Sequence, residues 1–215
     1  MGIALNKKTV LLADDHVLVA EGIKNLLANE YDVVGLVEDG MALVQKAKEL
    51  KPDVIVSDIS MPIMNGINAA EKILATDKDC KIILLTMHPE VKYAMRALDV
   101  GVKGYLLKHS ASDELLNAIK TVLMNKTFIT ATLAAEIMEA YRNNHGQAED
   151  PLSLLTPRQQ QVLQLLAESH SAKEIANILN VSSRTVEFHK YKMVEILKLK
   201  NASELVPFAI KNGLV

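Results

Sequence analysis

The sequence predicts two domains, an α/β domain with a doubly wound parallel sheet and then a small all-α domain. Short runs rich in β-branched residues alternate with amphipathic helical segments as far as residue 125. From residue 152 onward no strand pattern remains, and helix-capping signals recur instead. The length of 215 residues also suits two small domains better than one large domain.

The first domain, residues 1–125, contains five strand-like runs that are continuously apolar rather than alternating. These runs are TVLLA, DVVGLV, DVIVSD, KIILLT and KGYLL. Such strands are typical of a parallel sheet that is buried on both faces, and the amphipathic segments between them supply the covering helices. We therefore expect a five-stranded sheet of the flavodoxin-like type, in which ligands bind beyond the carboxyl ends of the strands.

Polar side chains stand at the predicted strand ends. Asp14 and Asp15 follow the first strand, Asp58 ends the third, Thr86 ends the fourth and Lys108 follows the fifth. Because these ends open onto one edge of a parallel sheet, the side chains should converge there. Three adjacent carboxylates repel one another, and hard oxygen ligands favour Mg²⁺. A carboxylate beside Mg²⁺ can attack a phosphoryl group, which indicates phosphoryl chemistry at this edge.

Residues 9 to about 125 resemble the receiver domain of two-component response regulators. The matching motifs are LLADDH, DVIVSDISMPIMNG, ILLTMH and GVKGYLLK. The resemblance implies that Asp58 is the phosphoacceptor. It also implies that Asp15, Asp58 and the main-chain carbonyl of Ser60 bind Mg²⁺, with Asp14 acting through the water shell of the metal.

The same resemblance implies a switch pair and a phosphate partner. Thr86 would move to the phosphoryl group while the Tyr105 ring turns inward behind it, and Lys108 would pair with the phosphate. The phosphoryl group would come from a sensor histidine kinase. One departure is His109, which follows Lys108 where many receivers have proline and a cis peptide bond.

Residues 126–151 change in character and are predicted to form a linker that contains one helix. The segment ITATLAAEIMEAYRNN has helical character, whereas NHGQAEDPLS has the composition of a linker. Four helix starts follow in the second domain, residues 152–215. Their predicted caps are Thr156 with Gln159, Ser171 with Glu174, Ser182, and Asn201 with Glu204.

The segments AKEIANIL and SRTVEFHKYKMVEILK read as a helix-turn-helix, with Asn180 suited to a left-handed turn. The second helix would enter the major groove of double-stranded DNA. The exposed candidates for DNA contact are Arg184, Thr185, Glu187, Phe188, Lys190, Tyr191 and Lys192. Spacing alone leaves DNA binding and an ordinary solvated basic face equally open.

The second domain resembles the C-terminal domain of the NarL/FixJ (LuxR-type) family. The resemblance rests on LTPRQQQVLQLLAE, AKEIANILNVSSRTVEFHKYKM and SELVPFAIKNGLV. It implies DNA binding by a homodimer on half-sites about one helical turn apart, or a multiple of that. This chain departs from common patterns at Gln159 and Gln160, at Ser169, where glycine is frequent, and at Pro207, which should kink or shorten the last helix.

Composition sets further limits. Residues 1–124 carry 14 Lys and Arg against 17 Asp and Glu, whereas residues 151–215 carry 8 against 5. The basic second half is compatible with a polyanionic partner. Cys80 is the only cysteine, so an intramolecular disulfide is excluded. No apolar run approaches the roughly 18 residues of a membrane span, and we expect a cytoplasmic protein with no membrane partner.

The sequence thus predicts a phosphorylation-controlled, DNA-binding transcriptional regulator rather than an enzyme. A phosphohydrolase of the haloacid dehalogenase type is the enzymatic alternative, but it requires a second acid where this chain has Ser60. Two non-enzymatic alternatives stay open. One is a regulator whose receiver only dimerises, independently of phosphate, and the other is an output domain that binds protein instead of DNA.

Overall fold

The computed structural model describes residues 7–87, 90–143 and 151–214. Residues 7–61 and 65–143 belong to a larger unit, and residues 151–214 belong to a smaller one. None of the helices in these ranges has the length and apolar character that crossing a membrane requires.

A parallel sheet with the strand order β2-β1-β3-β4-β5-β6 forms the centre of the larger unit. Its strands are Lys8–Ala13 (β1), Tyr31–Val37 (β2), Val54–Asp58 (β3), Ile82–Thr86 (β4), Gly104–Leu107 (β5) and Phe128–Ile129 (β6). The predicted parallel α/β architecture is confirmed. The sheet has six strands rather than the expected five, because Phe128 and Ile129 pair with β5. Two residues are too few to give a recognisable strand pattern in the sequence.

Helices cover both faces of this sheet. They are Val17–Leu27 (α1), Gly40–Leu50 (α2), Gly66–Thr76 (α3), Val91–Val100 (α4), Ala111–Leu123 (α5) and Ala131–Asn143 (α6). Side chains alternate between the two faces of a strand, so Val10 and Leu12 of β1 share one buried cluster with Leu27 of α1 and Leu115 of α5. Helix α2 contacts β1, and helix α3 contacts β4. The result is a three-layer α/β arrangement.

Helix α6 lies within the segment 126–151. Leu133 and Ile137 are one helical turn apart and buried, and α6 packs against α4. Residues 144–150 of the predicted linker lie outside the described ranges.

The smaller unit consists of four α-helices around its own apolar core. They are Pro157–Ala167 (α7), Ala172–Ile178 (α8), Ser183–Ile196 (α9) and Leu205–Lys211 (α10). The capping box at the start of α7 is present, since the Gln159 side chain accepts from the Thr156 N–H at 2.8 Å. The box at the start of α8 is present as well, with the Glu174 carboxylate accepting from the Ser171 N–H at 2.7 Å.

Three non-glycine residues in the range 151–214 adopt left-handed conformations: Ser169, Asn180 and Lys198. Asn180 has a φ of 51° in the turn between α8 and α9, as predicted. Ser169 has a φ of 68° just after α7, the position where glycine is frequent in the family. A side chain there costs about 1 kcal/mol relative to glycine. Gln160 is buried, and its amide donates to the main-chain oxygen of Leu152 at 2.9 Å, so this departure from the family pattern has a structural use.

The last helix begins later than Asn201 and Glu204 predict. The Asn201 side chain instead caps a 3-10 turn, Ala202–Glu204, by accepting from the Ser203 N–H at 3.0 Å. Helix α10 then starts at Leu205, which places Pro207 in its first turn. A missing N–H costs little at that position because it has no intrahelical acceptor. Proline is therefore accommodated at the start of a short helix.

Candidate functional site

The carboxyl edge of the sheet in the larger unit holds a buried polar cluster. Asp14 follows β1, Asp58 ends β3 and Thr86 ends β4, and each is less than 5% exposed. Lys108 follows β5, and its side chain is 8% exposed. Parallel strands deliver their last residues to one edge, and the sequence-predicted side chains therefore lie together.

The Lys108 ammonium lies between two carboxylates. Its Nζ is 2.8 Å from Asp14 Oδ2 and 2.7 Å from Asp58 Oδ2. Burial lowers the pKa of Lys108, but the two carboxylates outweigh that effect and leave the pKa raised. The lysine therefore stays charged and holds the two acids close to each other. The Lys108–His109 peptide bond is trans, like the other peptide bonds of the described residues.

The surroundings of Asp58 disfavour its charged form, whereas those of Lys108 favour its charged form. Burial of Asp58 raises the pKa of its carboxyl group, and the nearby Asp14 charge adds to the rise. Hydrogen bonds from Lys108 and from the Ser60 main chain lower the pKa, but the net shift is upward. A single ammonium thus compensates the acids only in part, and an additional cation would favour the ionised form.

A candidate cation site surrounds this pair. Asp14, Asp15, His16 and Asp58 each offer a ligand atom, and these atoms lie within 4.8 Å of one another. The main-chain N–H of His16 donates to Asp14 Oδ1 at 2.9 Å. The ring Nδ1 of His16 is 2.9 Å from Asp15 Oδ1. Asp15 and His16 are more exposed than the other two, so the site opens toward solvent.

Sequence reasoning missed His16 because its spacing was judged against other histidines. The usable signal was its position directly after the acid pair in LLADDH.

The loop after β3 turns the chain away from Asp58 and into α3. Asn65 caps α3 by accepting from the Asn68 N–H at 2.9 Å, and Gly66 donates to the Ile59 oxygen at 2.8 Å. A Cβ at Gly66 would collide with the main-chain oxygen of Asp58. Glycine therefore allows the loop to pass close behind the acid and into α3.

Thr86 and Tyr105 lie on neighbouring strands, with Leu84 of β4 in register with Tyr105 of β5. The Tyr105 side chain is fully buried. Burial raises the pKa of its phenol, and the nearby Thr86 hydroxyl opposes that shift. The ring therefore points inward, next to the threonine, in this conformation.

In the smaller unit, α9 carries the residues predicted to contact DNA. The Ser182 side chain caps this helix by accepting from the Thr185 N–H at 3.1 Å, and Val186 and Met193 bury its inner face. Four of the residues predicted to contact DNA form the exposed outer face of this helix. They are Arg184, Glu187, Phe188 and Tyr191.

The two lysines of α9 lie beside this outer face and are only partly exposed. Lys190 pairs with Glu187 at 3.0 Å, and Lys192 pairs with Glu195 at 2.8 Å. Both are surface pairs, which a stronger anion can displace at little cost.

Comparison with known proteins identifies both halves. The family of response regulator receiver domains matches residues 10–120, and the luxR family of bacterial regulatory proteins matches residues 153–209. The oxygen regulatory protein NreC of Staphylococcus carnosus is 36% identical over 213 residues, which is 96% of this chain and 98% of that protein. NreC of Staphylococcus aureus is 37% identical over the same number of residues.

Solved structures give the same assignment. A LuxR-family two-component response regulator from Aurantimonas has a TM-score of 0.61 and 31% identity, covering 63% of this chain and 99% of that one. The RcsB response regulator of Salmonella typhimurium has a TM-score of 0.59 and 28% identity, covering 96% and 100%. A structure of an RcsB–DNA complex has a TM-score of 0.59 and 28% identity, covering 97% and 100%.

A receiver-type sheet and a LuxR-type helical unit in one chain define a regulatory protein rather than an enzyme. The chain belongs to the LuxR-type response regulators of two-component systems, and it acts as a transcription factor. The family resemblances of both halves of the sequence are confirmed.

Proposed function

We propose that Asp58 accepts a phosphoryl group from a sensor histidine kinase, and that this favours a homodimer that binds double-stranded DNA. The position of Lys108 is the observation that carries the proposal. Its ammonium lies 2.7 Å from the proposed nucleophile, in a pocket almost closed to solvent. An ammonium at that place can neutralise charge on a phosphoryl group as it arrives.

In the proposed transfer, one Asp58 oxygen forms a bond to phosphorus while the bond from phosphorus to an imidazole nitrogen of the donor breaks. The electron pair of the broken bond stays with the donor histidine. Lys108 then exchanges part of its contact with the Asp58 carboxylate for a phosphoryl oxygen. The Thr86 hydroxyl donates to a second phosphoryl oxygen, and Tyr105 fills the space behind it.

The donor set fits Mg²⁺, which prefers a few hard oxygen ligands. Asp15 and Asp58 would hold the ion together with the main-chain oxygen of Ser60, and Asp14 would act through its water shell. When bound, Mg²⁺ neutralises negative charge on the phosphoryl oxygens.

Hydrogen bonds within the larger unit support a route from the switch pair to α6. The Thr130 N–H donates to the Tyr105 main-chain oxygen at 3.1 Å, and the Thr130 hydroxyl donates to Glu114 at 2.8 Å. Helix α6 starts at the next residue, Ala131. A movement of β5 at Tyr105 would therefore reach the first turn of α6 through one residue.

For the DNA-binding step we propose that α9 enters the major groove. Arg184, Lys190 and Lys192 contact phosphates or guanine, and Thr185 and Glu187 make polar contacts near them. Phe188 and Tyr191 complete the interface. The support is that all these residues lie on or beside the outer face of one capped helix.

The experiment that tests the proposed function compares wild type with Asp58→Asn. Each is incubated with Mg²⁺ and acetyl phosphate, and both the sedimentation behaviour and the affinity for duplexes selected from a random library are measured. Wild type should shift toward dimer and bind more tightly after treatment, whereas Asp58→Asn should change in neither property. Equal responses of the two proteins, or a wild-type dimer that needs no donor, would support the phosphate-independent alternative.

Salt dependence separates a DNA-binding output from a protein-binding one. Changing Lys190 or Lys192 to Ala should weaken binding to all duplexes and reduce the slope of log affinity against log salt by about 1 for each lysine. Lys46→Ala is the matched control, because Lys46 forms the same kind of surface pair with Glu49 at 2.8 Å on the larger unit. An unchanged slope in both α9 variants would remove these lysines from the DNA interface.

A further inference from the structure

Two aromatic side chains are exposed on the outer face of α9. Phe188 is 57% exposed and Tyr191 is 69% exposed. They are three residues apart and therefore neighbours on one helical face. Among the Phe and Tyr side chains that the structure describes, no others are exposed to this degree. Single exposed apolar residues are common, but a pair of rings on one surface indicates a partner.

The rings are held on a rigid part of the molecule. Val186 and Met193 are fully buried on the inner face of α9, which fixes the rotation of the helix. The Phe188 ring packs edge-on against His189, with the ring centroids 6.0 Å apart. The aromatic face is therefore preorganised before any partner binds.

Cationic side chains flank the two rings along α9. Arg184 is one turn before Phe188 on the same exposed face, and Lys190 and Lys192 pair with Glu187 and Glu195. The charge suits a polyanion, and the middle of the face offers apolar rings. A partner with two rows of negative charge and apolar groups between them has the complementary pattern.

Double-stranded DNA has that pattern where thymine occurs. In the major groove the bases present hydrogen-bond donors and acceptors, and the one apolar group is the 5-methyl of thymine. The Phe188 ring cannot form a conventional hydrogen bond, so its contribution there is apolar contact. We propose that Phe188 and Tyr191 read thymine 5-methyl groups and thereby set part of the operator specificity. This inference rests on the proposed DNA-binding function.

Replacing thymine by deoxyuridine tests the proposal, because it removes only the methyl group and keeps the pairing. The full-length chain, treated with Mg²⁺ and acetyl phosphate, first selects duplexes from a random library. Each thymine of the selected site is then replaced in turn, and the affinity is measured. At one or more positions the replacement should weaken wild-type binding by about fourfold, the effect of one buried methyl group.

The variants assign that effect to the rings. Phe188→Ala should bind the thymine duplex more weakly and should lose the preference over deoxyuridine at its position; Tyr191→Ala should do the same at a neighbouring position. Both side chains are exposed, so the variants should fold, which circular dichroism checks. Lys190→Ala is the control: it should weaken both duplexes by the same factor and keep the thymine preference.

The outcomes are distinguishable. Selective binding with no deoxyuridine effect at any position would overturn this inference and leave the proposed function intact. The absence of any selective duplex binding would overturn the proposed function together with the inference. A thymine preference that survives in both aromatic variants would also overturn the inference, as would variants that lose only dimer formation, since the rings would then form a protein contact.

Discussion

The two ends of strand β3 carry two aspartates in contrasting environments. Asp53, just before the strand, accepts from Lys8 Nζ at 2.7 Å and from the Thr9 N–H and hydroxyl at 2.8 and 2.9 Å. Burial alone raises the pKa of Asp53, but these hydrogen bonds outweigh it and leave the pKa lowered. Asp58, at the other end, is more deeply buried, and its pKa is raised.

The difference separates an acid whose charge is satisfied by its surroundings from one whose charge is not. Asp53 has enough donors to satisfy its charge, so it stabilises the fold as it stands. Asp58 shares a single ammonium with Asp14, and its charge is compensated only in part. An incompletely satisfied buried carboxylate is available to a cation or a phosphoryl group, whereas a satisfied one is not.

The largest effect is expected for Lys108→Met in buffer without divalent cations. The variant leaves Asp14 and Asp58 buried without their cation, and the free energy of unfolding of the larger unit should fall by about 3 kcal/mol. Calorimetry is the suitable measurement because it can resolve the unfolding of more than one unit in a chain. Added Mg²⁺ should recover part of the loss, since it can replace the missing charge.

Lys120→Met is the matched control for that variant. Lys120 pairs with Glu30 at 2.8 Å, the same distance as in the buried cluster, but both side chains are exposed. Solvent screens this pair, and its loss should leave the unfolding temperature almost unchanged. Equal losses in the two variants would show that burial of the cluster does not matter.

Asp53→Asn should destabilise the larger unit by about 1 kcal/mol at pH 7, because it weakens three hydrogen bonds to an ionised acceptor. The pKa of Asp53 is lowered by folding, so its contribution is present above the unfolded pKa and is lost as the pH falls through the folded one. The difference from wild type should therefore shrink below about pH 4. Unfolding followed by urea titration at several pH values checks this.

Asp58→Asn should change the stability of the larger unit in the opposite direction from Asp53→Asn. Its pKa is raised by folding, so the wild-type acid stabilises the fold at low pH and this contribution is lost as the pH rises through the folded pKa. At pH 7 without Mg²⁺, the variant should gain on the order of 1 kcal/mol over wild type. A loss of stability in the variant at that pH would place Asp58 with Asp53 among the acids whose charge is satisfied by their surroundings.

Substitutions at left-handed backbone positions, which change no charge, give a reference for the size of these stability effects. Ser169→Gly should stabilise the smaller unit by about 1 kcal/mol, because it removes a side chain from a left-handed conformation with a φ of 68°. Gly213→Ala, at a φ of 64°, should have the opposite effect in the same unit. Calorimetry of the two variants checks both signs, and a neutral Ser169→Gly would mean that the serine is not strained.

Parallel-sheet geometry explains how much the sequence could predict. The places of Asp58, Thr86 and Lys108 follow from where apolar runs stop, because all such strands end at one edge. The capping boxes were predictable for a similar reason, since they depend on residues three apart. Strand β6 was not predictable, because it exists only through pairing with β5. The exposure of Phe188 and Tyr191 was predicted, because Val186 indicated which face of α9 is buried.

Intact-mass measurement after incubation with Mg²⁺ and acetyl phosphate tests the central claim most directly. Wild type, Asp53→Asn and Asp58→Asn are compared, with base treatment to cleave an acyl phosphate. We predict one base-labile phosphoryl group on wild type and on Asp53→Asn, and none on Asp58→Asn. An undiminished adduct on Asp58→Asn, or no adduct on wild type, would contradict the assignment of Asp58 as the phosphoacceptor.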